Sequence, residues 1–135
     1  VSRITQCTAE SVNTIIRRTG RTPFIYSRAN WINQYLKVSA LPPVHWWLAN
    51  YRWPWPYPLY TPEHTGPPIL PMGVNTWTIH QTASRGQSIG AKAMHYMDYN
   101  RWNGPIAEML AFFGHKEQHP IQCPIDGHSC CRIFA

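Results

Sequence analysis

Hydrophobic residues recur in the first third of the chain at spacings that predict a helix, a strand and a second helix. Residues 8–18 carry apolar side chains at helical spacing, with Thr8 as a candidate N-cap and Gly20 as a C-terminal stop. The short apolar run at 23–27 is typical of a buried strand. Residues 28–37 return to a helical pattern, so we expect the order helix, strand, helix.

Three further strands and one short helix are predicted downstream. Residues 44–51 are apolar at nearly every position, which indicates a strand buried on both faces. Residues 76–82 alternate between apolar and polar side chains, which predicts a strand with one more solvent-exposed face. Residues 94–102 form the next strand candidate. A last helix is predicted at 106–113. Together these elements predict an α/β fold class.

A proline-rich segment separates two of the predicted strands. Nine of the thirteen prolines lie between residues 42 and 71. Residues 53–58 alternate aromatic side chains with proline, which cannot donate a hydrogen bond to a sheet ladder. The segment is therefore predicted to be an extended surface loop. Two interpretations stay open: a rigid linker wrapped on the fold, or a wall of aromatic rings beside a cleft.

Composition and charge narrow the function classes. The net charge of +6 favours anionic partners such as a cell wall, a membrane surface or nucleic acid. The basic residues cluster tightly only at 17–21, near a predicted helix end, so nucleic acid is the partner least favoured. No apolar run approaches the ~20 residues that span a bilayer, and no membrane span is predicted. The sequence has no initiator Met and no signal-peptide pattern, and we expect a processed, excised or partial gene product.

One carboxylate among six stands out. Asp98 is the only acidic residue in an apolar strand pattern, where it lies between Met97 and Tyr99. Burial of a carboxylate costs free energy unless the group is paired or functional. Asp98 is therefore a candidate catalytic residue, with a hydrogen-bonded core acid as the alternative.

Four sequence blocks follow one another at residues 19–27, 47–51, 77–81 and 97–104. In this order they resemble the Chalaropsis-type lysozymes, glycoside hydrolase family 25. Residues 97–104 resemble that family's closing-strand signature Asp-x-Asn-Arg-Phe-Asn-Gly. Residues 19–27 resemble its Thr-Gly-x-x-Pro-x-Ile-Tyr-Thr strand, with Ser27 where the family has Thr. Residues 47–51 resemble its Trp-Ile-Ala-x-Tyr strand, and residues 77–81 resemble its Trp-x-x-Trp-Gln strand.

The resemblance implies part of an irregular TIM-like barrel. The family fold is a (β/α)5(β)3 barrel, and residues 1–104 would supply its last four strands; residues 105–135 would be a short helix and a tail rich in Cys and His. The family hydrolyses the β-1,4 bond from N-acetylmuramic acid to N-acetylglucosamine with an Asp-x-Glu pair on the fourth strand, helped by an Asp on the first. Neither strand has a counterpart in these residues. Asp98 would be a supporting acid, and we expect the chain alone to be inactive on cell walls.

The resemblance also implies a saccharide groove at the strand ends. Aromatic rings stack on sugar C–H surfaces, and amide and phenol groups bind hydroxyls. His80 replaces the family's Trp and could still contact a sugar. For each residue the alternative is ordinary core packing. The predicted substrate-binding residues are Tyr26, Trp47, Tyr51, His80, Gln81 and Asn100.

The tail holds a separate group of possible ligands. The weak candidates for a metal site are His115, His119, Cys123 and His128. Cys and His suit tetrahedral zinc, but their spacing matches no established zinc motif. Disulfides within the tail or to Cys7 are favoured over zinc, and free thiols stay open as a further alternative. No metal and no cofactor is predicted for the main site.

Two function hypotheses follow from these residues. The chain is expected to be a partial or divergent family 25 muramidase domain acting on peptidoglycan or another anionic glycan, or else an inactive structural or glycan-binding domain of the same origin. An extracellular, secreted or virion-associated location is expected. Four strands of an eight-stranded barrel would leave two open edges, so we also expect a second polypeptide or copy that completes the barrel.

Overall fold

A four-stranded sheet lies at the centre of the described part of the chain. The computed structural model describes residues 2–51, 66–87 and 96–114. The strands are β1 (Phe24–Ser27), β2 (His45–Ala49), β3 (Ile79–Gln87) and β4 (Tyr96–Trp102). They lie in the order β1-β2-β3-β4, and the first three are parallel. With β4 the sheet is mixed, so the predicted α/β class is confirmed.

The described residues fall into two compact units that divide between Arg101 and Trp102. The first unit holds α1 (Arg3–Thr19), β1, α2 (Ala29–Tyr35), a 3-10 turn at Val38–Ala40, and the remaining strands. The second holds α3 (Ile106–Phe112), whose Phe112 ring packs on Trp102 with centroids 5.0 Å apart. The predicted division into 1–104 and 105–135 stays a prediction.

The first helix begins earlier than the sequence pattern predicted. Ser2 is the N-cap, and its hydroxyl accepts a hydrogen bond from the Thr5 backbone N–H. Thr8, predicted as the cap, lies inside the helix and donates to the Ile4 carbonyl at 2.8 Å. The predicted stop is confirmed, because Gly20 adopts a left-handed φ of 68° and its N–H bonds the Ile16 carbonyl. A side chain at that φ would be strained.

Two strands differ from the prediction in instructive ways. In β2, Trp46 and Leu48 are buried on one face, whereas on the other face Ala49 is buried and His45 and Trp47 are half-buried, so the burial predicted for both faces is only partial on the second. The strand predicted from residue 76 begins at Ile79 in the structure. Trp77 contributes to the strand-like pattern because it is apolar, yet it packs into the core just ahead of the strand.

One face of the sheet carries the hydrophobic core. Ile32 and Leu36 of the α2 segment pack on Trp46 and Leu48 of β2. Val74 and Trp77, which precede β3, complete the buried cluster. Ile32 and Leu48 are fully inaccessible to solvent. The side chains on the opposite face of the sheet are therefore not part of this core cluster.

Several predicted features lie outside the described residues. They are the aromatic and proline alternation at 53–58 and the tail group His115, His119, Cys123 and His128. Among the described residues, no group of three metal-binding side chains occurs, and Cys7 is an exposed free thiol. A search of the same residues finds no helix with the length and apolar character needed to cross a membrane.

Thr5 links the first two helices and provides a test of the packing between them. It is fully buried, and its hydroxyl contacts the Tyr35 carbonyl at 3.4 Å and the Lys37 N–H at 3.1 Å. Thr5→Val keeps the shape but leaves these backbone groups without that partner. We expect a loss of about 1–3 kcal/mol in the free energy of unfolding, measured by urea denaturation.

Thr8→Val is the matched control for this substitution. Its hydroxyl bonds only a carbonyl of its own helix, one turn back, so the change should stay within about 0.5 kcal/mol. Equal losses in the two variants would contradict the role assigned to Thr5.

Candidate functional site

The sheet face opposite the core brings together most of the predicted site residues. Side chains alternate between faces along a strand, and the register pairs Tyr26 with Trp47 and Ala49 with Gln81. Asn100 of β4 reaches the same face, because its side-chain oxygen accepts a hydrogen bond from the Trp47 indole. This face, defined by Tyr26, Trp47, Gln81 and Asn100, is called the site face below.

Gln81 is the centre of a hydrogen-bonded cluster on the site face. Its side chain is 2% exposed. The Tyr26 hydroxyl donates to Gln81 Oε1, and the Tyr51 hydroxyl donates to the same oxygen at 2.9 Å. One amide carbonyl has two lone pairs and can accept both bonds. Residues from β1, the end of β2 and β3 thus meet at a single atom.

Ala49 makes this meeting possible. Tyr26 and Gln81 belong to strands that are not neighbours, since β2 lies between them. Adjacent strands are about 4.8 Å apart, so the two side chains must bridge about 10 Å. Ala49, opposite Gln81 in the register and 6% exposed, carries only a methyl group on the intervening strand. A larger side chain there would occupy the space in which the phenol and the amide meet.

Trp47 connects this cluster to β4. Its ring meets Tyr26 edge to face, with centroids 5.4 Å apart and planes at 70°. Its indole Nε1 donates to Asn100 Oδ1 at 2.9 Å. The ring is half-buried, so part of its surface faces solvent beside the exposed Tyr26. Aromatic surface and hydrogen-bonding groups are therefore adjacent on the site face.

The exposure of Asp98 differs from the burial that its apolar neighbours in the sequence predicted. The residue is exposed, so it does not carry the cost of a buried carboxylate. It lies two residues before Asn100 on β4, and alternation places it on the site face. In the described part of the chain it accepts no hydrogen bond from Tyr26 or Gln81, because both tyrosine hydroxyls donate to Gln81 instead. Its influence on the cluster is electrostatic.

The pKa of the Tyr26 phenol reflects its burial and the charged groups around it. Partial burial of the phenol raises its pKa above the ordinary value of 10.0, and the neighbouring Tyr51 and the negative charge of Asp98 raise it further. The positive charge of Arg28 acts in the opposite direction. The cluster thus has a carboxylate and a guanidinium within electrostatic reach of the same hydroxyl.

His80 is the predicted site residue that the structure places elsewhere. It is fully buried, and alternation puts it on the core face rather than the site face. Its Nε2 lies 2.9 Å from the Asn50 carbonyl, and its ring meets Trp77 edge to face. The predicted role as a sugar-binding residue does not fit this placement, because a fully buried ring offers no surface to a sugar.

Two residues of the site were missed in the sequence. Ala49 has no chemistry of its own to attract notice. Arg28 directly follows β1, and its guanidinium lies over the Tyr51 ring, 5.3 Å from the centroid. The position of Arg28 directly after a predicted strand could have identified it from the sequence, because the carboxyl ends of neighbouring parallel strands meet at one edge of a sheet. Arg101 of β4 lies on the other face, with its guanidinium 5.2 Å from the centre of the Trp77 ring.

The site face offers groups suited to ligand recognition. Aromatic surface, an amide pair and phenol hydroxyls suit a polar ligand with apolar faces. Hydrolysis of a glycosidic bond normally needs two carboxylates. Among the described residues, the acids besides Asp98 are Glu10 on α1 and Glu108 on α3, and neither belongs to a strand of the sheet.

Comparisons with known proteins assign no family to this chain. No family model, no curated protein and no solved structure matches it significantly.

The raised pKa of Tyr26 predicts how its phenol responds to pH. We expect the difference in absorbance near 295 nm between the wild type and Tyr26→Phe to titrate with a midpoint above pH 10. The protonated phenol is favoured in the folded state, so its contribution to stability is complete below the unfolded pKa and is lost as pH rises through the folded pKa. A midpoint at or below pH 10 would contradict the arrangement.

Proposed function

We propose that this chain is the C-terminal half of a muramidase-like barrel related to glycoside hydrolase family 25, and that its site face binds the glycan of peptidoglycan. In this proposal an N-terminal half supplies the Asp-x-Glu pair, and the assembled protein hydrolyses β-1,4 bonds between N-acetylmuramic acid and N-acetylglucosamine. The observation that carries the proposal is the single cluster formed by Tyr26, Tyr51 and Gln81, joined through Trp47 to Asn100.

The position of this cluster supports a binding function. Tyr26 and Tyr51 lie at and just beyond the carboxyl ends of two parallel strands, where ligand sites form in sheets of this kind. The partly exposed rings of Tyr26 and Trp47 offer surface on which a sugar ring can stack. The amides and hydroxyls beside them match the hydroxyl and acetamido groups of amino sugars.

The two outer strands support the proposed second half. Among the described residues, β1 and β4 lie at the edges of the sheet, and each has a neighbour on one side. Open edges promote pairing with further strands. In this proposal, a second polypeptide or a second copy pairs along the edges that carry Tyr26 and Asp98. An extracellular or virion-associated location would follow from a peptidoglycan substrate.

An inactive glycan-binding domain is the second candidate. It is favoured by the carboxylate count, because Asp98 is the only described acid on the site face. The two candidates predict the same binding by this chain and differ in whether a partner half with an Asp-x-Glu strand exists. Sequencing the encoding gene upstream of Val1 distinguishes them.

Binding of a glycan tests the function that both candidates share. A tetrasaccharide of alternating N-acetylglucosamine and N-acetylmuramic acid should bind the chain, and Trp47→Ala should weaken the affinity by about tenfold through loss of a stacking surface. The measurement is isothermal titration calorimetry, with circular dichroism to check that the variant is folded.

Two further variants make the binding experiment decisive. Trp31→Ala is the matched control, since Trp31 is an exposed aromatic residue on α2 that contacts Tyr35 and lies outside the cluster. Asn100→Ala removes an exposed site residue with little risk to folding and should also weaken binding. No affinity for the tetrasaccharide in the wild type, or an equal loss in Trp31→Ala, would contradict the proposed function.

Asp98→Asn separates a catalytic from a structural role for this acid. In a protein reconstituted with the missing half, removal of the charge should lower turnover by about tenfold or more while binding changes little, because charge matters most where the transition state develops it. Turnover is measured as loss of turbidity of a cell-wall suspension. Unchanged turnover with a lowered melting temperature would instead assign Asp98 to the turn at Asn103 and Gly104.

A further inference from the structure

A small cleft adjoins the tyrosine and glutamine cluster. It has a volume of about 210 Å³ and lies at the carboxyl ends of β1 and β2. Ala29 and Ala49, both buried, line it together with Arg28, Asn50 and Tyr51. Pockets for whole drug-sized ligands usually measure about 300–1,000 Å³. The cleft is therefore of a size for a substituent of a larger ligand rather than for an oligosaccharide.

The charge of the cleft is positive. Arg28 lines it, and none of the other described lining residues is charged. Within the described part of the chain, Arg28 forms no ion pair, and its guanidinium lies over the Tyr51 ring. Stacking on an aromatic ring leaves the edge of the guanidinium, with its N–H donors, free to bind a planar anion. A carboxylate is the anion that matches this fork of donors.

The charged residues around Tyr26 favour one orientation of a ligand on the site face. Arg28 and Asp98 act on the pKa of the Tyr26 hydroxyl with opposite sign, so both charges lie within electrostatic reach of it. A ligand with one negatively charged group gains free energy with that group towards Arg28 and loses it with the group towards Asp98. The two charges therefore favour one orientation of an asymmetric ligand on the site face.

We propose that this cleft is a subsite for a carboxylate carried by the glycan, and that Arg28 is the specificity-determining residue that binds it. The proposal rests on the proposed glycan-binding function and names a part of the ligand that the tyrosine and glutamine cluster does not bind. The ligand class is an amino-sugar oligosaccharide with an acidic substituent. The lactyl group of a muramic acid residue and the end of its peptide stem both provide such a carboxylate.

The experiment compares matched ligands on the intact 135-residue chain. Affinity is measured by calorimetry for three probes: an alternating tetrasaccharide with free lactyl carboxylates, its peptide-substituted form, and chitotetraose, which is neutral. We expect at least one acidic probe to bind about tenfold more tightly than chitotetraose, as one charge-assisted contact would give. Which acidic probe is preferred identifies the source of the carboxylate. The preference should fall at high salt, because Arg28 is exposed.

Variants connect the preference to the cleft. Arg28→Gln should remove the preference, so that the acidic probe and chitotetraose bind with about the same affinity. Arg21→Gln, an exposed arginine beyond the end of α1, removes the same charge elsewhere and should change neither. Binding of chitotetraose without any preference for acidic probes, or a preference that survives in Arg28→Gln, overturns the subsite and leaves the glycan-binding function intact. Absence of binding to all three probes overturns both proposals.

Discussion

The parallel register of β2 between β1 and β3 is the constraint on which the rest of the structure depends. Side chains alternate along a strand, so a slip of one residue would exchange the two faces of the sheet. In the observed register Trp46 and Leu48 enter the core, while Trp47 and Ala49 reach the opposite face. Burial of Leu48 against α2 therefore also determines that Tyr26 and Gln81 can meet above Ala49.

The register was partly readable from the sequence. Apolar runs located the starts of all four strands within three residues, because β-strands in a buried sheet need side chains that tolerate removal from water. The ends of the helices and strands were harder to predict from the sequence. The start of α1 depends on the hydroxyl of Ser2, which also donates to the Tyr35 carbonyl, a contact across more than thirty residues. A local pattern contains no information about such a partner.

The candidate site was predictable where residue chemistry and strand position coincide, and not elsewhere. Tyr26, Trp47 and Gln81 combine a functional side chain with a strand position, and the structure brings them together. His80 has suitable chemistry, but it is the neighbour of Gln81 on β3, and alternation sends the two side chains to opposite faces of the sheet. Asp98 appeared to be buried because its neighbours are apolar, yet β4 lies at the edge of the described sheet and leaves it exposed.

The shared acceptor at Gln81 also decides what kind of group the site can receive. Each of the two phenols has a single proton, and both protons are directed to Gln81 Oε1. While both bonds to Gln81 are made, the phenol oxygens act as acceptors towards an incoming ligand. The orientation of the amide is fixed by the same two bonds, which leaves its NH2 group as the donor end. Through its tyrosines the site face selects for ligands that give protons, such as sugar hydroxyls and acetamido N–H groups.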